Sequence, residues 1–112
     1  MCLELKGETI QRMMKLSEQC HYDQFLSALA SESRLAILER LADRELTVTE
    51  LTETTGVSQS AVSHHLAALR WAGLVKIHRE GRWIFYVADT YCLAVCCRRL
   101  FDQLNVGYEK PA

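Results

Sequence analysis

Between residues 47 and 87 the apolar pattern changes period once, at Gly73, and that change narrows the folds open to this chain more than any other feature. Residues 47–55 place Val48 and Leu51 at helical spacing and end at Gly56, which tolerates the positive φ of a tight reversal. Val57 plugs the reversal. Ser58 is an N-cap, and Val62, Leu66 and Leu69 form the inner side of a helix that runs to about Ala72, where Gly73 stops it. Beyond Gly73 two runs rich in β-branched and aromatic residues, 75–79 and 82–87, read as strands, with Glu80-Gly81 between them as a two-residue hairpin turn. Helix, glycine turn, capped helix and hairpin together spell a helix-turn-helix, at about 47–73, followed by a wing, at about 75–87.

The flanking segments supply the scaffold. Ile10, Met13, Met14 and Cys20 fall at helical spacing in residues 9–20, and Phe25, Leu26 and Leu29 continue a second short helix. Ser31 caps a third, with Leu35, Ile37, Leu38 and Leu41 on its buried face. Asp89 caps a closing helix to about residue 104, striped by Leu93, Cys97, Leu100, Phe101 and Leu104. A stripe so apolar wants a partner. The fold expected is mainly α with a β-hairpin wing, one winged helix-turn-helix domain over 1–112, whose small core would grow by dimerising.

No run approaches the 18 or so apolar residues of a membrane span, and the first residues lack the basic-then-apolar pattern of a signal peptide, so a cytoplasmic protein with no membrane partner is expected. Five cysteines in such a compartment read as free thiols, metal ligands or redox sensors rather than a disulfide frame. The formal net charge is -1, yet the charge is not evenly spread. Residues 39–55 carry five acids against two bases, whereas 56–87 carry four bases (Arg70, Lys76, Arg79, Arg82) against the single acid Glu80. A nucleic-acid surface needs local positive charge, not a basic total.

With Val62, Leu66 and Leu69 turned inward, the outward residues near the start of the second motif helix are Gln59, Ser60, Ser63 and His64. These side chains can hydrogen-bond base edges or phosphates, and a recognition helix presents its N-terminal residues to the major groove. Arg79 and Arg82 flank the hairpin turn, within reach of phosphates or a narrow minor groove. Each of these residues alone could equally be a solvated position; turn, cap and hairpin together select DNA binding. His65 reads as a packed histidine, and Trp83, Phe85 and Tyr86 as wing and core packing. Neither a Cys-x-x-Cys motif nor a glycine-rich nucleotide loop occurs, so no catalytic residues are assigned and an enzyme is not expected.

The run GVSQSAVSHHLAALRWAGLV at 56–75, Arg79-Glu80-Gly81-Arg82 ahead of an aromatic strand, and ASESRLAIL at 30–38 resemble the ArsR/SmtB family of bacterial metal-responsive repressors. The similarity covers roughly residues 25–104 and is most specific at the recognition helix. It implies a homodimer built from the first and last helices, at about 9–20 and 89–104. Such a dimer binds double-stranded operator DNA at an imperfect inverted repeat and represses a resistance or stress operon until an inducer binds. Its two recognition helices would lie about 34 Å apart, one turn of DNA.

Two of the family's metal sites can be checked against the chain. The cysteine pair of one falls on Thr47 and Thr49 in Glu45-Leu46-Thr47-Val48-Thr49, and hydroxyls are poor ligands for soft metals. The zinc site on the last helix falls on Asp89, Tyr91, Asp102 and Asn105, without its imidazoles. The chain offers instead Cys92, Cys96 and Cys97. At about 100° per residue from Cys92, the apolar stripe centres near about 120°, with Cys96 at about 40° and Cys97 at about 140°. Thiolates so clustered suit As(III), or else Cd(II), Pb(II) or Hg(II), with Cys20 or Cys2 as further ligands. Two other readings stay open. In one, the thiols serve a redox- or persulfide-sensing repressor of the same fold, in which adjacent Cys96 and Cys97 are awkward disulfide partners and a pair between helices or subunits is needed. In the other, the protein is a DNA-binding dimer with no ligand.

Overall fold

Five helices and one hairpin follow one another along residues 20–106, the part of the chain that the computed structural model describes. They are α1 (Tyr22–Leu29), α2 (Glu32–Asp43), α3 (Val48–Thr55), α4 (Gln59–Trp71), β1 (Val75–Glu80), β2 (Trp83–Ala88) and α5 (Thr90–Gln103). The helix expected at about 9–20, and with it Cys2, lies outside the described residues.

Helix starts are set by side chains that satisfy the free amides of a first turn. The Ser31 hydroxyl accepts from the Arg34 amide to open α2, and the Ser58 hydroxyl accepts from the Ala61 amide to open α4. At α3 the satisfaction is reciprocal: Thr47 accepts from the Glu50 amide, while the Glu50 carboxylate accepts from the Thr47 amide at 2.9 Å. These same bonds, with burial working against them, hold the Glu50 carboxyl below its ordinary pKa, Arg44 adding a little. Thr47, which aligns with a cysteine in the family, is thus fully engaged in starting a helix.

Between α3 and α4 the chain reverses at Gly56, whose φ is 73° and whose amide donates to the Thr52 carbonyl. The reversal sets α4 across α2 and α3, and the seam is the core. Ile37 and Leu41 of α2, Leu51 of α3, and Val62, Leu66 and Leu69 of α4 are each at most 1% exposed, with Phe25 of α1 and the loop residues Leu46 and Leu74 beside them. Leu35, expected on the buried face of α2, is instead 40% exposed. The buried face of α2 is narrower than its apolar pattern, running only through Ile37, Leu38 and Leu41.

The wing pairs Val75 with Ala88 and closes with Glu80 opposite Trp83, so its two-residue turn is Gly81-Arg82, one residue beyond the expected Glu80-Gly81. Glycine at the first central position, with φ 59° there and no positive φ at Arg82, is the pattern of a type II′ turn, which matches the twist of the strands. Leu46 and Tyr86 exchange both backbone hydrogen bonds, at 3.0 and 2.8 Å, and tie the α2–α3 loop to the wing.

Nothing lies within 4 Å of a Cβ built on Gly56, so an added side chain there meets only the backbone penalty of its positive φ. Gly56→Ala should therefore cost about 1 to 2 kcal/mol, and Gly56→Asn less. Urea unfolding of the two variants checks this; a loss equal for both would mean that side-chain crowding sets the cost.

Candidate functional site

Packing Val62, Leu66 and Leu69 inward leaves one face of α4 with no protein to meet. Gln59, Ser60, Ser63 and His64 all lie exposed on that face, within the first two turns. The helix N-terminus beside them concentrates free amides and the positive end of the dipole. Arg79 and Arg82 are exposed at the wing tip, Arg82 within the turn itself. Neither makes an ion pair with a described residue. The aromatic residues of the wing separate: Tyr86 packs against the core and Phe85 lies beside the His78 ring, while Trp83, expected to pack, is 60% exposed at the end of β2.

On the inner side of α4, His65 is partly buried, with its Nδ1 and the Nε of Arg34 both buried and without a hydrogen-bond partner among the described residues. Burial lowers the His65 pKa, and the neighbouring charges of Arg34 and His64 lower it further.

A second site gathers at the start of α5. The Asp89 carboxylate accepts from the Cys92 amide at 3.0 Å, which seats Cys92 in the first turn of that helix. One turn later Cys96 points the same way, and these two residues, at 3% and 2% exposed, are the buried face of α5. Cys20 arrives from the other end of the chain, immediately before the N-cap of α1, and forms a disulfide with Cys92 across 72 residues. The Sγ atoms of Cys20, Cys92 and Cys96 all lie within 4.8 Å of one another. Burial pushes the Cys96 thiol upward in pKa, Cys97 adding and Arg99 opposing.

Sequence alone placed Cys97 on the buried stripe and Cys96 at its edge; in the structure Cys96 is inside and Cys97 only partly buried, a free thiol outside the sulfur cluster. The helix has turned its Cys92–Cys96 edge to the core. Leu93, Leu100 and Phe101 of the stripe are left half-buried, and Leu104 is 62% exposed. The other aligned zinc-site positions have local duties: Asp89 caps α5 and Asp102 pairs with Arg98 at 3.2 Å.

The cluster is joined to the end of α4 through backbone. His21, next to Cys20, donates its amide to the Ala72 carbonyl at the end of α4 and stacks on Trp71, with ring centroids 5.4 Å apart and an interplanar angle of 3°. A cleft of about 150 Å³ opens over the Cys20–Cys92 bond, lined also by Gly73, Val75, Lys76, Asp89 and Tyr91.

Residues 31–76 match the family described as bacterial regulatory protein, arsR family. The transcriptional repressor SmtB homolog of Synechocystis is 40% identical over 92% of this chain and 78% of its own. The chain belongs to the arsR family. It is a DNA-binding winged helix-turn-helix transcription regulator, as the resemblance of its recognition helix implies. Two solved structures share the architecture. A possible transcriptional regulator for arsenical resistance is 36% identical over 76% of this chain and 86% of its own, with a TM-score of 0.64. Reduced HlyU from Vibrio cholerae is 38% identical over 84% and 96%, with a TM-score of 0.58.

The state of His65 gives this arsR-family protein a measurable signature. Its folded pKa lies below the ordinary 6.5, so the unfolded chain takes up the proton first as pH falls. The contribution of neutral His65 is fully present above about 6.5 and is lost as pH drops through the lower folded value. Thermal melts from pH 7.5 to 5 should show this decline, and His65→Gln should flatten it. An unchanged slope in the variant would assign the decline to other groups.

Proposed function

We propose that this protein is a homodimeric repressor that holds operator DNA while its cysteines are reduced and empty. It would release the DNA when a thiophilic metal(loid), arsenite first, is captured by Cys20, Cys92 and Cys96. The observation that carries the reading is the meeting of three sulfurs, from two distant segments, within 4.8 Å of one another. Three soft donors suit As(III), Cd(II), Pb(II) or Hg(II) far better than hard cations. Cys97 stands beside this set rather than in it, and the relative named for arsenical resistance supports the same class of inducer.

In this reading Gln59, Ser60, Ser63 and His64 meet the major groove, while Arg79 and Arg82 meet the backbone or minor groove. Dimerisation through α5 is favoured by its half-buried stripe, and Leu26 and Leu29 of α1 add exposed apolar surface. A pair of recognition helices then reads an imperfect inverted repeat. The route from sulfur to DNA is short: Cys20 adjoins His21, and His21 holds the last turn of α4. A coupling of about 1 to 3 kcal/mol, five- to 150-fold in affinity, is all that release requires.

A second reading, a thiol-redox or persulfide switch, is favoured by the Cys20–Cys92 disulfide. The two differ in their need for Cys96, which a three-sulfur site uses and a Cys20–Cys92 bond does not. Fluorescence anisotropy of a labelled upstream duplex at fixed salt separates them. Arsenite should weaken the reduced protein's hold on DNA about tenfold or more. Cys96→Ser should abolish that response, as should Cys20→Ser or Cys92→Ser, while Cys97→Ser should leave it intact. Release by diamide but not by arsenite, retained in Cys96→Ser, would select the redox reading; DNA affinity indifferent to both would remove both.

A further inference from the structure

The cleft over the Cys20–Cys92 bond has a built shape and an unequal pair of sulfurs behind it. Its walls come from Gly73 and the first residues of β1 (Val75, Lys76) and from the start of α5 (Asp89, Tyr91). Cys20 is half-buried at its floor, whereas Cys92 is 3% exposed. Lys76 is exposed and makes no ion pair with a described residue, while the Asp89 carboxylate on the other wall is engaged by the Cys92 amide. Lys76 and Asp89 thus place one positive and one negative charge on facing walls of the cleft.

From the unequal burial of Cys20 and Cys92 we infer that the cleft admits a small thiol, and that Cys20 is its point of covalent attachment. The step is a thiol–disulfide exchange without net oxidation. The incoming thiolate attacks the Cys20 sulfur, a new S–S bond forms between them, the Cys20–Cys92 bond breaks, and its electron pair departs on the Cys92 sulfur as a thiolate. Access sets this direction. Cys20 is the more exposed of the two bonded residues, whereas Cys92, at 3% exposed, is shielded from attack. A volume of about 150 Å³ accepts a two- or three-carbon thiol. The product leaves Cys92 and Cys96 as a buried pair of thiols beside a capped Cys20. Such a protein lacks the third ligand of the metal(loid) site until a second thiol removes the cap. The inference rests on the disulfide that the second functional reading uses, and not on metal binding.

The test uses the full-length protein, oxidised, both as wild type and with Cys2, Cys96 and Cys97 changed to serine so that only the bonded pair remains. Intact mass first establishes the bond. A limiting amount of 3-mercaptopropionate is then added and the reaction quenched with N-ethylmaleimide, and peptide mapping locates each group. The expected result is mercaptopropionate on Cys20 and maleimide on Cys92. Mercaptopropionate on Cys92, an even split between the sulfurs, or no opening until urea is added would each overturn the inference. Absence of the bond in the oxidised protein would overturn the redox reading along with it. A bond that forms but opens at the wrong sulfur would overturn the inference alone.

Discussion

The hydrogen bond from the Asp89 amide to the Leu74 carbonyl, 2.7 Å long, closes the base of the wing, and three parts of the molecule are positioned by it. Leu74 leaves the recognition helix by donating its own amide to the Leu69 carbonyl, and its side chain is fully buried. Asp89 begins α5. Between them the hairpin is held as a rigid excursion whose tip carries Arg82, because any shift of Leu74 would expose a core leucine and break two backbone bonds at once. Two residues earlier, the Ala72 carbonyl receives the His21 amide. The stretch 72–74 is therefore where the recognition helix, the wing, α5 and the cysteine at position 20 are joined.

That junction explains why sulfur chemistry at Cys20 and Cys92 is well placed to reach DNA. A cysteine deep in a core changes its surroundings by packing alone, and close-packed interiors absorb little of that without a second arrangement to move to. Here the two bonded residues are the neighbours of backbone hydrogen bonds, His21 to Ala72 and Asp89 to Leu74, that locate the end of α4 and the root of the wing. In the proposed switch, joining or separating them would act on that orientation directly. The N-terminal face of α4 lies about 13 residues, some 20 Å of helix, from that anchor, so a small rotation at Ala72 is enlarged at Gln59.

Much of this architecture was legible in the sequence because it is written in local chemistry. Ser31, Thr47, Ser58 and Asp89 each cap the helix they precede, and Gly56 and Gly73 take the positive φ that their turns require. The wing turn was misjudged by one residue, since Glu80-Gly81 and Gly81-Arg82 satisfy composition equally and only strand register decides between them. Harder to read was α5. A helical projection finds the most apolar stripe, but which edge of it meets the core depends on what the rest of the fold presents. Here α1 and the 72–75 turn present Cys20 and take Cys92 and Cys96 inward. Seventy-two residues separate Cys20 from Cys92, and no spacing rule reaches that far. The same burial leaves Leu93, Leu100 and Leu104 partly in water, which is the surface a dimer would remove.

Charge completes the physical case for where DNA can sit. A protein with a net charge of -1 gains nothing from its total in approaching a polyanion, so the field near the recognition face must be local. The wing achieves this by segregating its partners. Along β1 His78 contacts Glu45 at 3.1 Å and, beside the turn, Glu80 at 3.7 Å. Arg79 and Arg82 form no ion pair with a described residue, so in the proposed complex phosphates would meet guanidinium groups without such a competitor. With a Debye length of about 8 Å in physiological salt, acids at the far end of α2 are screened from that contact. In the proposed complex only the few charges beside the groove would set the affinity, and a modest turn of α4 or the wing would be enough to misplace them.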